Sequence, residues 1–286
     1  MCCGVRRSGR ADVHRLGPGH RSAGAEAIPA YRAVMTPFAR LHHTGEPLLL
    51  PNAWDHASAL ALAAEGFPAV ATTSLAVAAG AGLPDGASVT RDETLRLALT
   101  LGSGPFLLSV DAEGGFSQDP DEVGEFARQL AAVGAVGINL EDGLGAVAGH
   151  AAKIAAVKKA APDLFVNART DTYWLGEGDE RDTLRRLDAY QEAGADCVFV
   201  PGMNDPARIA TLVRQLHAPL NILYSPTGPP LSRLAGLGVR RVSLGSLLYR
   251  RALGAAVETA TDIRAGRTPR GGTPTYADVQ GLVMQR

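Results

Sequence analysis

From residue 48 onward the chain alternates between two kinds of segment. Short runs dominated by apolar residues, "LLLPN" (48–52), "AVATTS" (69–74), "FLLSVD" (106–111), "VGINLED" (136–142), "LFVNARTD" (164–171), "CVFVPG" (197–202), "LNILYS" (220–225) and "RRVSLG" (240–245), supply eight strand candidates. Between them, segments 57–66, 119–133, 149–161, 179–193, 204–216 and 247–265 carry apolar residues at helical spacing, often behind an opening Asp or Ser. Strands this uniformly apolar cannot leave one face in water, so the alternation predicts a parallel sheet covered by helices. Eight such units in about 220 residues suit a closed (β/α)8 TIM barrel. A doubly wound open sheet is the competitor, and the absence of G-x-G-x-x-G after the first strand weighs against it.

Composition narrows the partners. The 286 residues are 46% hydrophobic with a formal charge of −1, enough chain for one large domain with a full core. There is no basic stripe for nucleic acid and no polybasic patch for a membrane surface, which leaves a small molecule as the expected partner. No run approaches the ~20 apolar residues of a membrane span. Cys2 and Cys3 are adjacent and Cys197 is alone in an apolar run, so no disulfide framework or zinc site is expected and a cytoplasmic setting fits. Residues 1–34 hold arginines but no apolar secretory core and read as a disordered extension; the patterned sequence starts at Met35. The barrel is expected over residues 35–270, with a C-terminal tail at 271–286 that would pack on a neighbouring subunit.

In such a barrel the reacting groups stand at the C-terminal ends of the strands. The first strand candidate ends in Asn52, with Asp55 just beyond, and the second in Thr72, Thr73 and Ser74; Asp85 lies in the long loop that follows. The third ends in "DAEGG", with Asp111 and Glu113; the fourth in Glu141 and Asp142; the fifth in Arg169 and Asp171. Alternation along a strand puts Asp111 and Glu113 on one side, and Gly114 and Gly115 permit close backbone approach. Carboxylates crowded at one mouth raise one another's pKa unless a cation offsets them, and Mg2+ or Mn2+ is the hard, oxygen-loving ion that would do so. Taken singly, Asp142 and Asp171 read as helix caps or solvated loop charges. His56 and His217, without a partner at ligand spacing, read as structural or surface residues.

Four pieces in order, "GLPDG" (82–86), "VDAEGGF" (110–116), "GINLEDG" (137–143) and "NARTDTY" (167–173), resemble the isocitrate lyase/phosphoenolpyruvate mutase superfamily across residues 36–270. The resemblance implies a (β/α)8 barrel whose last helix is exchanged between subunits of a homodimer or homotetramer. It also implies Mg2+ and a small α-oxo or α-hydroxy acid passing through an enolate-like state. Asp111 then resembles the direct metal ligand, and Asp85, Glu113 and Glu141 the carboxylates holding the ion through its waters. Arg169 resembles the clamp on the substrate carboxylate, and Thr73, Ser74 and Leu75 the loop gripping carboxylate and oxo groups, with Asn52 beside them. Arg169, Glu141 and Ser74 are the residues the resemblance marks for catalysis.

The chain departs from the family in one loop. Its lyases carry K-[KR]-C-G-H after the fourth strand and its mutases a lysine and an asparagine there, whereas this chain reads "EDGLGAVAGHAAKI" (141–154). His150 is therefore read as a helix-start histidine, and Pro201 stands where other branches place a polar residue. Three functions stay open: a Mg2+-dependent lyase breaking a C–C bond in a small di- or tricarboxylate, a phosphonopyruvate-type mutase or hydrolase, and a barrel that binds a metabolite without turnover. Intact Asp85, Asp111, Glu113, Glu141 and Arg169 speak against a decayed site. Specificity is expected from residues 143–150, Pro201, Asn221, Tyr224 and Ser243.

Overall fold

A computed structural model describes residues 35–175 and 178–284; the expectation for residues 1–34 lies outside them. Eight strands form one sheet: β1 (Leu48–Leu50), β2 (Ala69–Ala71), β3 (Leu107–Asp111), β4 (Ala135–Glu141), β5 (Phe165–Arg169), β6 (Cys197–Phe199), β7 (Leu220–Leu223) and β8 (Arg241–Ser243). They are parallel throughout, in the order β1-β8-β7-β6-β5-β4-β3-β2. A parallel bridge from Asn52 to Ala71 joins the two ends, with Ala53 N donating to Ala71 O at 2.7 Å and Ala71 N to Pro51 O at 2.8 Å. The result is the (β/α)8 barrel that the alternation predicts.

Helix α1 (Pro37–Arg40) and a 3-10 turn (Leu41–His43) precede β1, and α2 (His56–Ala64) follows it. Two helices, α3 (Ser74–Ala81) and α4 (Arg91–Leu101), lie between β2 and β3. Then come α5 (Pro120–Ala132), α6 (Val147–Ala160), α7 (Glu180–Glu192), α8 (Pro206–Gln215) and α9 (Leu231–Gly236), one after each of β3 to β7. After β8 come α10 (Leu247–Arg264) and α11 (Tyr276–Met284), the latter lying against α2. The six helices expected from spacing are present within a few residues. Between β2 and β3, where a long loop is expected, the chain forms α3 and α4; α3 is "SLAVAAGA", small and apolar all round, with no polar face to reveal a period. Asp side chains start α2, α5, α7 and α8: Asp55, Asp119, Asp179 and Asp205 accept from first-turn N–H groups at 2.7, 2.9, 2.8 and 2.8 Å.

The main core lies between the outer face of the sheet and the helices. A second, smaller cluster of Phe38, Leu48, Leu50, Ala69, Ala71, Phe165 and Cys197 fills the bottom of the barrel. Phe38 meets Phe165 edge-on at 5.2 Å, and His42 stacks on Phe165 at 4.3 Å. Above this plug the interior turns polar, with Ser109, Asn139, Asn167, Asn221 and Arg241 all buried. The strands are thus less uniformly apolar than their sequences suggest, since their inward positions carry amides and a guanidinium. Cys197 is free and buried, and its thiol is pushed up to about 12 by burial. Among the described residues no helix is long and apolar enough to cross a membrane.

Candidate active site

Three adjacent strand ends build one wall of a cavity of about 590 Å³ at the C-terminal mouth of the barrel. Asp111 ends β3, Glu141 ends β4 and Arg169 ends β5; Asp111 pairs in register with Asn139, and Glu141 with Arg169. Register alone therefore brings the guanidinium beside the carboxylate, and Arg169 Nη1 lies 2.7 Å from Glu141 Oε2. The second fixed edge of the guanidinium is Nε, 2.6 Å from Asp171 Oδ1, and the group sits 5.7 Å from the ring of Trp174. On the other side, Ser74 N at the start of α3 donates to Asp111 Oδ2 at 3.0 Å, and Asp111 N donates to Thr72 Oγ1 at 2.9 Å. A helix start leaves its first N–H groups without intrahelical acceptors, so Ser74 and Leu75 turn donors towards the cavity they line. Asn52, Thr73, Asp85, Phe199, Pro201, Leu223 and Ser243 complete much of the lining.

Electrostatics make this an acid-rich site in which Arg169 is the cation in direct contact with the carboxylates. Burial raises the pKa of Asp111, with Asp85 adding to it and Arg169 and Ser74 opposing it. Glu141 is pushed up to about 8 by burial, against Arg169, with Asp111, Asp171 and Glu113 adding repulsion. Glu113 and Asp171 are likewise raised, chiefly by burial. Asp111 and Glu141, both resisting ionisation on the cavity wall, with Asp85 also lining it, are a donor set that a hard divalent cation would relieve. Among the described residues no three His, Cys, Asp or Glu side chains converge tightly enough to ligate an ion together. An ion here would be held largely through its waters, and Asp111, Asp85 and Glu141, which all line the cavity, are the carboxylates that would accept from them.

Several expectations need correcting. Glu113 is not in the strand: β3 ends at Asp111, and Glu113 sits in a turn at φ 46, so alternation does not apply. Its carboxylate is buried off the cavity wall, accepting from Ser88 N at 3.1 Å and from the Thr90 hydroxyl, and thereby clasps the loop that carries Asp85. Asp55 is the cap of α2 rather than part of the acidic cluster, sharing a capping box with Ser58. Asp142 is neither a solvated charge nor a cap. Next to Glu141 on the strand end it points the opposite way, and its fully buried carboxylate accepts from Tyr190 OH at 2.7 Å, Thr170 Oγ1 at 2.8 Å and Arg186 Nη1 at 3.0 Å. Asp171 is buried against Arg169 rather than solvated.

Of the two glycines, Gly115 at φ +88 is the one that needs to be glycine, since a Cβ would lie 2.7 Å from Val123. His150 does stand at the start of α6, buried edge-on to Tyr190 at 4.6 Å. His56 starts α2 and His217 is exposed, both away from the cavity lining. Of the residues expected to set specificity, Gly143, Pro201 and Ser243 line the cavity, whereas Asn221 lies wholly buried inside the barrel and the cavity takes Leu223 rather than Tyr224. Sequence reasoning missed Asn139, Trp174, Leu175 and Arg250, which also line it. Asn139 was findable as the polar residue between Ile138 and Leu140 in "GINLE"; Arg250, reaching in from α10, left no local signal.

A family model described as phosphoenolpyruvate phosphomutase matches residues 38–264. An uncharacterized protein of Mycobacterium tuberculosis is 44% identical over 252 residues, covering 86% of this chain and 96% of that one. A phosphoenolpyruvate phosphomutase of Streptomyces hygroscopicus is 30% identical over 251 residues, 79% of each chain. Among solved structures, a Burkholderia cenocepacia protein named as a lyase/mutase superposes with a TM-score of 0.79 at 36% identity, covering 86% of this chain and 94% of that one. A phosphonopyruvate hydrolase solved with oxalate and Mg2+ shares the fold, at a TM-score of 0.75 and 24% identity over 86% of this chain and 93% of its own.

Proposed function

The chain belongs to the phosphoenolpyruvate mutase family, an enzyme family of the isocitrate lyase/phosphoenolpyruvate mutase superfamily with lyase, mutase and hydrolase members, and on that premise we propose that it is a Mg2+-dependent lyase breaking a C–C bond in a small α-oxo or α-hydroxy di- or tricarboxylate. The observation that carries this reading is the Asp111–Glu141–Arg169 wall, with the start of α3 bonded to it through Ser74 N–H and Leu75 beside it on the same cavity. Asp111 would be the direct ligand of the ion, and Asp85 and Glu141 would accept from its waters; Glu113 would act one layer back, through the loop it clasps. When bound, the ion supplies Lewis-acid polarisation of the substrate oxygen.

The protein's own groups do the rest. Arg169, fixed on two edges, keeps Nη2 without a protein partner among the described residues and offers it to the substrate carboxylate, with a planarity that lysine lacks. Ser74 N–H is spent on Asp111 Oδ2, and the Leu75 N–H, with the Thr73 and Ser74 hydroxyls and Asn52 beside it, donates to the oxo oxygen on which negative charge develops as the bond breaks. Phe199, Pro201 and Leu223 supply apolar wall, and Trp174 and Leu175, more than half exposed, stand at its rim.

A phosphonopyruvate-type reaction is the second reading, and one observation favours it. The loop after β4 has no cation, yet Arg250 from α10 lines the cavity and could meet phosphoryl oxygens. Incubating oxo- and hydroxy-acids, and phosphonopyruvate beside them, with protein and Mg2+, and assaying pyruvate, glyoxylate, phosphate and phosphoenolpyruvate (whose appearance also supports the alternative), separates the two. Release of a carboxylic fragment without phosphate supports the lyase, phosphate release supports the alternative, and turnover undiminished in Asp111→Ala would overturn the site assignment.

A further inference from the structure

The barrel interior holds a cation that this chemistry does not use. Arg241, at the start of β8, is fully buried, and among the described residues no carboxylate pairs with it. Burial lowers its pKa to about 10, which leaves it charged at neutral pH. Its Nε donates to Ser243 Oγ at 3.1 Å, and its Nη2 donates across the barrel to Asn139 Oδ1 at 3.0 Å. Nη1 has no partner among the described residues.

A guanidinium has donors only, so whatever faces it must accept. The Asn139 amide can satisfy that in one orientation, with Oδ1 turned down towards Arg241. Asn167 Nδ2 then donates to the same oxygen at 2.7 Å. With Oδ1 doubly occupied from below, the Nδ2 group is what Asn139 presents to the cavity it lines. Ser243, also on the cavity surface, is held in the same way: its oxygen accepts from Arg241 and from Asn221 Nδ2 at 3.0 Å, and its own hydrogen is left for the cavity. Four elements, β4, β5, β7 and β8, thus contribute to a floor that donates upwards, and the cation beneath it favours negative charge above.

On the reading of this cavity as the substrate site, the geometry points to Arg241 as the positioning residue that fixes Asn139 and Ser243 as donors, so that the floor selects a substrate placing an anionic oxygen, of a carboxylate or a phosphonate, against them. An amide group in that place would set its own N–H against two donors and leave them unpaired. That mismatch is the kind of penalty from which polar sites draw their strongest discrimination.

The test is a titration of the full chain with Mg2+ present, read by calorimetry and by the fluorescence of the protein, whose Trp174 lines the cavity. Oxalate is compared with oxamate, its monoamide, and phosphonoformate is run beside them; of the two dianions, the one more dependent on residue 139 identifies the source of the anionic oxygen. Wild type should prefer oxalate. Asn139→Asp keeps an oxygen for Arg241 and replaces the donor above it with an acceptor, and should lower the oxalate-to-oxamate affinity ratio at least about tenfold, the worth of one charge-assisted hydrogen bond. Arg241→Met releases the amide to turn over, and should lower the same ratio about three- to tenfold. A residue acting only on folding would weaken both ligands together, so an unchanged ratio in folded Asn139→Asp overturns the inference while the active-site reading stands. Failure of wild type to bind either dianion overturns that reading and the inference with it. Should Arg241→Met not fold, Asn139→Asp decides alone.

Discussion

Arg169 donates from Nε to Asp171 and from Nη1 to Glu141, so two edges of its guanidinium are spent on holding it still. A lysine at this position offers one point charge and cannot hold both acids and a substrate. Arg169→Lys should therefore raise KM about 10- to 100-fold, while Mg2+ affinity measured by calorimetry stays within a few-fold. Asp111→Ala should do the reverse, abolishing Mg2+ binding and turnover with the circular-dichroism spectrum unchanged, because the side chain sits at the mouth and not in the core. Asp142 belongs to neither group. Its buried carboxylate, held below the ordinary range because donation from Leu144, Tyr190, Asp171 and Thr170 outweighs burial, neutralises Arg186. Removing it leaves Arg186 with Asp182 and the Gly145 carbonyl but strips the buried Tyr190 and Thr170 hydroxyls of their acceptor, and Asp142→Ala should cost about 1–3 kcal/mol in urea unfolding.

Helix α2 starts with a reciprocal pair: Ser58 N donates to Asp55 Oδ1 at 2.7 Å, and Asp55 N donates to Ser58 Oγ at 3.2 Å. Asp55→Ala should cost about 1 kcal/mol of stability and leave turnover unchanged, since Asp55 does not line the cavity. The loop between α3 and α4 behaves differently. Glu113 joins its far end to the turn after β3 through Ser88 and Thr90, so Glu113→Ala should free the Asp85-bearing segment. Faster proteolytic nicking within residues 82–90 and a weaker apparent Mg2+ affinity should appear together; nicking without loss of affinity would detach the loop from metal binding.

The barrel as a unit carries two buried histidines that stay neutral. Burial lowers His42 from 6.5 to about 3 and His150 from 6.5 to about 4, whereas in the unfolded chain both regain the ordinary value. Below pH 6.5 the unfolded state therefore takes up protons that the folded state refuses, and stability falls with pH by up to ~1.4 kcal/mol per unit per histidine. Glu141, raised to about 8, is protonated in the fold and ionised in the unfolded chain over much of that range, and so offsets one histidine; urea unfolding of wild type and His42→Phe between pH 7 and pH 4.5 should therefore differ in slope by up to ~1.4 kcal/mol per pH unit, the variant losing less stability as pH falls. Outside the barrel, α10 buries none of its residues in this chain, leaving Leu253, Val257 and Ile263 55%, 60% and 62% exposed. A second copy of the chain is the covering that the subunit-exchange expectation supplies, so light scattering should report a dimer or tetramer, and Val257→Glu should shift it towards monomer.

The alternation of runs fixed the number of strands, their parallel sense and the ends that carry chemistry, because a βα unit declares itself through local periodicity and capping residues such as Asp119 and Asp205. Asp111, Glu141 and Arg169 were legible for the same reason, being the last residues of their strands. Local pattern could not say which way a residue turns once the strand has ended. Glu113 leaves the mouth because φ turns positive there, and Asp142 leaves it because neighbouring side chains diverge. Nor could it find partners distant in sequence. Arg241 and Asn139 are 102 positions apart, and a guanidinium beneath the floor acquires its meaning only when closure of the barrel sets β8 opposite β4 and takes water away from both.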